Sequence, residues 1–503
     1  KRERFMKIVK GMVLNSEEVE MFAPPKRDLM PSKALPSGSF EHVIICNPVD
    51  SAKFEPLRYW RTKEGVQSKI VTTSYIANNY GGGNLTTDAI RAFIADAETT
   101  WGTSWFLIGG NCDVDNIPIE YLSTGGNLQG EPIPSDHYYA QTDIGATEPD
   151  YEDVWVGRSS INKEALVNKV LEYEKSPTFG YDTPVFYGPS YVLWSSYEGY
   201  SNDTIARYTP TPPWKDSVRH DWETSLSSGE LHSTLSSGLW YSHFSGHGIN
   251  YGWGSSSTIY SDTTDVDALG TSGTGLIINA ICCEISYLDE TGQCYTEHWI
   301  NNVNDGCAGI IGNTRYGWGS SSSYTEDLSE GYDVNFYRIL FGYTPVGGGT
   351  QNVTIDEFYT FADVEEAARN AKIPVAAGDN YSEYCMVEHM LWGDPALHLW
   401  TNIPDTLDVT HDSKYFIGTG SFTVKVKDND GTTPIEGARV CVWCKFEQDV
   451  YAVGYTDANG NVTLSIDPQQ SGDTLWVTVV KHDYLPSVSY THLRAHETEA
   501  DLV

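Results

Sequence analysis

Short apolar runs alternate with amphipathic stretches along the chain up to about residue 400. His42-Val-Ile-Ile-Cys46 predicts a buried strand, residues 54–64 a helix, Lys69-Ile-Val-Thr72 a strand, Thr87 to Ala97 a helix, and Trp105-Phe-Leu-Ile108 a further strand. After a Gly/Pro/Asp-rich stretch at 110–150, Val154-Trp-Val156 runs through Gly157-Arg158 into a helix with Leu166, Val167, Val170 and Leu171 on one face. A Pro-rich break near 177–189 separates this set from a second one. Its expected strands are Tyr191-Val-Leu-Trp194, Leu239-Trp-Tyr-Ser242, Leu276 to Ile281 and Ala308-Gly-Ile-Ile311, with helices near 325–340 and 362–371 and a closing block at Leu391 to Leu399. Strands alternating with helices predict mostly parallel, doubly wound α/β sheets in two subdomains.

From about residue 402 the pattern changes to alternating strands and hairpin turns without helices. Phe422 to Val426, Arg439 to Cys444, Val462 to Ile466 and Leu475 to Val480 are separated by turn sequences at 428–431 and 457–460. The expected organisation is a linker or proregion remnant at 1–40, α/β subdomains at 41–180 and 181–400, and an immunoglobulin-like or carboxypeptidase-regulatory-like β-sandwich at 401–487. Residues 488–503 resemble a translated sequencing adapter and show neither strand alternation nor a helical stripe, so they are set aside as a non-native tail.

Composition narrows the function classes. The 503 residues carry 68 acidic and 32 basic side chains, a formal charge of −36 that repels nucleic acid. No stretch is long and apolar enough to cross a membrane, and the chain opens on Lys1 without a leader, as a fragment lacking its start does. Forty-six Gly, 32 Tyr and 15 Trp suit a strand-rich extracellular protein. Nine cysteines, an odd count without paired CxxC motifs, indicate neither a zinc site nor a disulfide scaffold and leave at least one thiol unpaired. The lone CxxC, Cys441 and Cys444, falls in a strand where positions three apart face opposite sides, and reads as two half-buried strand cysteines.

Two segments carry candidate chemistry. In Tyr241-Ser-His-Phe-Ser-Gly-His-Gly248 a strand ends in a histidine held between glycines, which let the backbone turn sharply and approach a ligand. Downstream, an apolar strand ends in the vicinal thiols Cys282-Cys283. Strand C-termini are where doubly wound sheets gather functional groups, so His247 and the thiol pair occupy equivalent places on successive strands. A thiol beside an imidazole suits nucleophilic attack on a carbonyl followed by protonation of a leaving amine. No HExxH, GxSxG, P-loop or GxGxxG pattern points to the commoner enzyme classes.

With FSGHG at 244–248, INAICC at 278–283, GQCYTE at 292–297, CAGIIGNTRYGW at 307–318, DVWVGRSS at 153–160 and LWGDPAL at 391–397, the chain resembles the gingipain-type cysteine peptidases of the caspase-like fold over roughly residues 41–400. The resemblance implies a dyad of His247 and one vicinal cysteine. Spacing to Cys294-Tyr-Thr-Glu297 favours Cys283, with Cys282 as the alternative nucleophile. It also implies a carboxylate that orients the histidine, here Glu198, an oxyanion site at the amides of Gly248 and Cys283, and a primary pocket walled by Trp318, Ser245 and Gly246. Asp203 is the candidate floor if cleavage follows basic residues.

The function expected is that of a secreted cysteine endopeptidase acting on proteins or peptides through a thioester acyl-enzyme. A transpeptidase of the same family and a catalytically silent surface-binding module, suggested by the aromatic segments Tyr251 to Trp253 and Tyr316 to Trp318, are the alternatives. The chemistry requires no cofactor. Structural calcium is allowed by the resemblance, with Asp-rich turns at Asp113 and Asp115, Asp262 to Asp267, and Asp428 and Asp430. A proregion ending near Lys26, Arg27 and Lys33 would serve as the enzyme's own inhibitor.

Overall fold

A computed structural model describes residues 35–123, 131–142, 152–178, 186–189, 218–221, 227–254, 258–270, 275–289, 292–318, 328–341, 343–346, 349–352, 360–370, 380–446 and 450–495. Ten strands make the main sheet: β1 (His42–Cys46), β2 (Ser68–Thr72), β3 (Trp105–Gly109), β4 (Trp155–Arg158), β5 (Phe186–Pro189), β6 (Val218–Asp221), β7 (Tyr241–Phe244), β8 (Ile277–Ala280), β9 (Gly309–Asn313) and β10 (His389–Gly393). Their spatial order is β2-β1-β3-β4-β10-β9-β8-β7-β5-β6. Every neighbouring pair is parallel except β9 with β10.

The two expected α/β sets thus join into one sheet. Their junction is narrow, since β4 and β10 share only the register pair Arg158 with Trp392. Strand β5 occupies part of the stretch expected to be a Pro-rich break, and β7 begins at Tyr241 rather than Leu239. The strand expected at Tyr191 to Trp194 lies outside the described residues.

The burial of β1 shows why the apolar runs become parallel strands. All five of its residues are buried, and they alternate between two cores. Val43 and Ile45 pack with Phe93 and Ile94 of the helix α2 (Thr87–Trp101), whereas Ile44 and Cys46 pack with Phe54 and Leu57 of α1 (Ser51–Lys63). Helices on both faces leave no polar side to the strand, so it reads as a continuous apolar run. Helix α2 is delimited by local chemistry. The Thr86 side chain accepts from the Ala89 amide at its start, and Gly102 stops it at φ 74°, a left-handed conformation suited to glycine.

Buried ion pairs tie distant segments together. Asp394 of the Gly-Asp-Pro turn accepts from Arg61 Nε at 2.9 Å and faces His42 Nε2 at 3.2 Å. Arg61 also binds Glu64 at 2.7 Å and Glu174, on α3 (Lys163–Lys175), at 2.8 Å. Burial alone would raise the Asp394 carboxyl, but Arg61 and His42 outweigh it and hold the group well below the usual carboxylate range. Arg158 grips Asp136 with two bonds of 2.6 and 2.7 Å. Glu297 accepts from Ser160 at 2.7 Å, linking the two halves of the α/β body.

The C-terminal part is an all-β sandwich of two sheets around a core of Val, Leu, Ile and Phe. Its strands are β11 (Leu407–His411), β12 (Lys414–Phe416), β13 (Gly420–Asp428), β14 (Arg439–Cys444), β15 (Tyr451–Tyr455), β16 (Asn461–Ile466), β17 (Thr474–Lys481) and β18 (Tyr484–Arg494). They form the sheets β11-β13-β16 and β12-β18-β17-β14-β15. Strand β18 crosses residue 488 and runs to Arg494, paired with both β17 and β12. Residues 488–494 therefore contribute a strand where the sequence reading found no alternation. That alternation is visible in buried Thr491 and Leu493 beside exposed Tyr490 and His492.

Cys441 and Cys444 face opposite sides of β14, as the spacing requires, yet both are fully buried. Cys444 enters the sandwich core, while the Cys441 thiol donates to the Thr62 carbonyl of α1 at 3.4 Å. The β14 face expected to be half-exposed is covered by the α/β body. All nine cysteines are free thiols.

Candidate active site

Strands β7 and β8 are paired in parallel with Phe244 opposite Ala280. Three residues beyond each of these partners stand His247 and Cys283, so the register carries both to the same sheet edge. Close approach of the two loops depends on Gly248. A β-carbon there would lie 2.3 Å from the Cys283 carbonyl oxygen and 2.9 Å from both Cβ and Sγ of Cys282. Only a residue without a side chain lets the histidine loop lie against the backbone of the thiol pair.

The histidine loop is braced from behind. His247–Ile249 pairs antiparallel with Gly252–Gly254, which pairs with Ile259–Asp262. Trp253, fully buried at the centre of this small sheet, stacks on Phe244 at 4.6 Å between ring centres and on Trp299 at 5.8 Å. The surface role suggested for Tyr251 to Trp253 is thereby corrected for Trp253, although Tyr251 remains exposed. The carbonyl of Asn250 accepts from the Tyr295 amide at the start of α4 (Tyr295–Asn301). The other histidine of the segment, His243, is fully buried and pairs with Asp333 at 2.5 Å.

The vicinal thiols differ in position. Cys282 is fully buried in the main core, and burial raises its pKa well above the ordinary thiol value. Cys283 is part-exposed, and its Sγ lies 3.8 Å from the Gly317 carbonyl. Packing around this thiol, with the Glu388 carboxylate as the next contributor, still pushes it up to about 12. Burial lowers His247 in turn. Both directions favour a neutral thiol and a neutral imidazole at rest.

Directly after Cys283 the chain turns sharply. Glu284 adopts φ 58°, a left-handed conformation that costs a non-glycine residue on the order of 1 kcal/mol or more. Its amide donates to the Arg315 carbonyl at 2.7 Å, while the Arg315 guanidinium is clamped by Asp289 at 2.7 and 2.9 Å. This clamp fixes the loop carrying Gly317 and Trp318 beside the thiol. Trp318 is half-buried, edge-on to Tyr381 at 4.9 Å, and its amide donates to the Ser329 hydroxyl at 3.0 Å.

Residues 36–400 match the sequence model of peptidase family C25. The chain belongs to this family of cysteine peptidases. Among solved structures it is similar to gingipain R (RgpB), an Arg-specific cysteine proteinase, with 17% identity, 91% of this chain and 98% of that one covered, and a TM-score of 0.72. It is also similar to a chain in the complex of the pro- and mature domains of RgpB from Porphyromonas gingivalis, with 18% identity, 90% and 100% coverage, and a TM-score of 0.71. These likenesses establish the gingipain-type fold. No curated protein sequence matches the chain.

In this C25 chain the residues singled out from the sequence are only partly within view. His247, Gly248, Cys282, Cys283, Ser245, Gly246 and Trp318 are brought to one edge of the sheet, whereas Glu198 and Asp203 lie outside the described residues. Two carboxylates escaped the sequence reading. Glu330, on α5 (Leu328–Leu340), accepts from the buried Ser245 hydroxyl at 2.7 Å. Glu388, the last residue of α6 (Asn380–Glu388), is fully buried near Cys283 and Cys385, and burial raises it well above the carboxylate range. Neither carries a local motif, since each reaches the site from a separate helix.

The Asp-rich turns have internal duties. Asp115 pairs with Lys163 at 2.6 Å, Asp262 and Asp265 form a reciprocal helix cap, and Asp430 accepts from Thr432 and Thr433.

Proposed function

We propose that the chain is a secreted cysteine endopeptidase with Cys283 as nucleophile and His247 as its acid–base partner. The observation that carries this reading is the seat of Gly248 against the Cys282-Cys283 backbone, which brings the histidine loop to the thiol pair, of which Cys283 is a part-exposed residue and Cys282 is sealed in the core.

In the proposed mechanism the Cys283 thiol gives its proton to the His247 imidazole as sulfur attacks the peptide carbonyl carbon. The new C–S bond yields a tetrahedral oxyanion, held by the amides of Gly248 and Cys283. Collapse breaks the C–N bond, and His247 returns the proton to the leaving amine. Water, deprotonated by the same imidazole, then attacks the thioester and releases the acid and the thiol. Glu198 is assigned the task of orienting the imidazole and stabilising its charged form. Trp318, Ser245 and Gly246 wall the primary pocket. The acidic side chain of Glu330 lies behind Ser245, which supports a preference for basic side chains, with Asp203 as the proposed floor.

The proposal extends to residues 1–40 as the end of an inhibitory proregion, a reading supported by likeness to a chain of the RgpB pro- and mature-domain complex. Among the described residues no helix is long and apolar enough to cross a membrane.

The test is cleavage of denatured casein and its loss on treatment with iodoacetamide. Because burial raises Cys283 and lowers His247, the thiolate fraction of the free enzyme should grow about tenfold per pH unit below the thiol's folded pKa. Inactivation is therefore expected to accelerate steadily from about pH 6 to about pH 9. A rate plateau near neutrality would contradict the neutral resting pair, and casein cleavage indifferent to alkylation would contradict the function.

A further inference from the structure

Where the sandwich meets the α/β body there is a cavity of about 420 Å³ that shares no residue with the site around Cys283. Its walls are mainly aromatic and basic, closed by Pro56, Pro486 and Val488. Tyr59 and Trp60 come from α1, Trp443 from β14 and Trp476 from β17, and between them stand Lys63, Lys175 and Lys445. Among the described residues no carboxylate lines it, in a protein with 68 acidic residues against 32 basic ones. Among the described residues, none of the three ammonium groups has a carboxylate within ion-pair distance. They lie instead over ring faces: Lys63 at 3.4 Å from the centre of Trp476, Lys175 at 4.4 Å from Trp60 and Lys445 at 5.1 Å from Tyr59.

This arrangement is electrostatically unfavourable without a partner. Burial, followed by repulsion from Lys175 and Lys445, lowers Lys63, and burial lowers Lys175 against the pull of the Glu174 and Glu64 carboxylates. Cation–π contact returns only about 0.5–2 kcal/mol per pair. A lysine cluster that served only to join the two domains would gain more from the carboxylates that abound elsewhere on the surface. A ligand bearing negative charge supplies the missing partner. The half-buried Tyr59 and Trp476, once the flexible lysine stems swing toward that charge, offer flat apolar platforms of the kind that take the C–H face of a pyranose, while the buried Trp60 and Trp443 back the cavity. The volume suits one or two sugar rings, and domain junctions are frequent places for such sites.

We propose that this cavity binds an acidic carbohydrate, a sugar bearing a carboxylate or sulfate group, with the ring seated on the aromatic faces and the anion held by Lys63, Lys175 and Lys445. Peptidase activity and sugar binding would then reside at separate places on one chain, so the enzyme could be retained on an acidic polysaccharide while cleaving protein.

The test is titration of the full chain, followed by tryptophan fluorescence and calorimetry, with a galacturonate dimer, a sulfated heparin disaccharide, cellobiose, inorganic sulfate and a short poly-glutamate peptide. At least one acidic sugar is expected to bind with a Kd below about 1 mM, weakening with added salt. Lys63→Gln/Lys445→Gln and, separately, Lys175→Gln should each weaken it at least about tenfold, the loss of about 1.4 kcal/mol expected when a charge partner is removed. Thermal stability and casein cleavage should stay as in the unaltered chain. The proposal is overturned if neither acidic sugar binds at about 10 mM, or if the lysine variants bind as the unaltered chain does. It is equally overturned if sulfate or poly-glutamate binds as tightly as the acidic sugar, or if the lysine changes lower the melting temperature without affecting binding.

Discussion

Cys283→Ala is expected to reduce casein cleavage by about 10⁴-fold or more, whereas Cys282→Ala should retain activity within a few-fold. The asymmetry follows from position. The Cys282 sulfur is fully enclosed by the core, and burial keeps it protonated. Its replacement removes one buried atom, at about 1 kcal/mol of stability, and leaves the reacting groups in place. Cys283 is part-exposed instead, with its sulfur 3.8 Å from the Gly317 carbonyl. Loss of the proposed nucleophile would leave only binding and oxyanion stabilisation, neither of which forms an acyl-enzyme. Parallel initial-rate assays on casein, with circular dichroism to confirm folding, decide the matter. Activity retained by Cys283→Ala and lost in Cys282→Ala would reverse the assignment of the two thiols.

Gly248→Ala should lower kcat/KM by about 10²-fold although no reacting atom is removed. The added Cβ would stand 2.3 Å from the Cys283 carbonyl oxygen. That neighbour is backbone within a strand-end turn, so it cannot rotate away and the two loops must separate. A displacement of about 1 Å at reacting groups costs on the order of a hundredfold in rate. The matched control is Gly229→Ala, in the exposed turn of a helix where a Cβ meets nothing within 4 Å, and it should leave kcat/KM unchanged. Steady-state kinetics on one peptide substrate, with melting curves for both variants, checks the comparison. Equal kinetics for the two variants would show that the loops do not need this contact.

The fold was legible in several strands buried on both faces, although Tyr241–Phe244, equally buried, starts two residues later than expected. His42 to Cys46 and Arg439 to Cys444 match the observed strands end to end, because continuous apolar runs and alternating runs leave little choice of secondary structure. Phe186–Pro189 was hidden by its own Gly-Pro ending, which resembles a loop. Tyr484–Arg494 was hidden because only Thr491 and Leu493 are fully buried, so its alternation is carried by two residues among eleven. The site divides along the same line. His247 and Cys283 were visible because each ends an apolar strand next to glycine or a second thiol. Glu330 and Glu388 were not, because they reach the candidate site on helices from distant parts of the chain. Trp253 shows the opposite error: a Gly-Trp-Gly segment reads as an exposed turn, but the small sheet folds its ring between Phe244 and Trp299.

The central claim is that one thiol, Cys283, carries the acyl group. The most direct measurement is mass-spectrometric mapping of the adduct left by a panel of peptidyl acyloxymethyl ketones that differ in the side chain next to the reactive carbonyl. One adduct per chain, located on Cys283 and absent from the His247→Ala variant under the same conditions, is the predicted result. An adduct on Cys282 or another cysteine, or casein cleavage that persists while Cys283 stays fully modified, would contradict it.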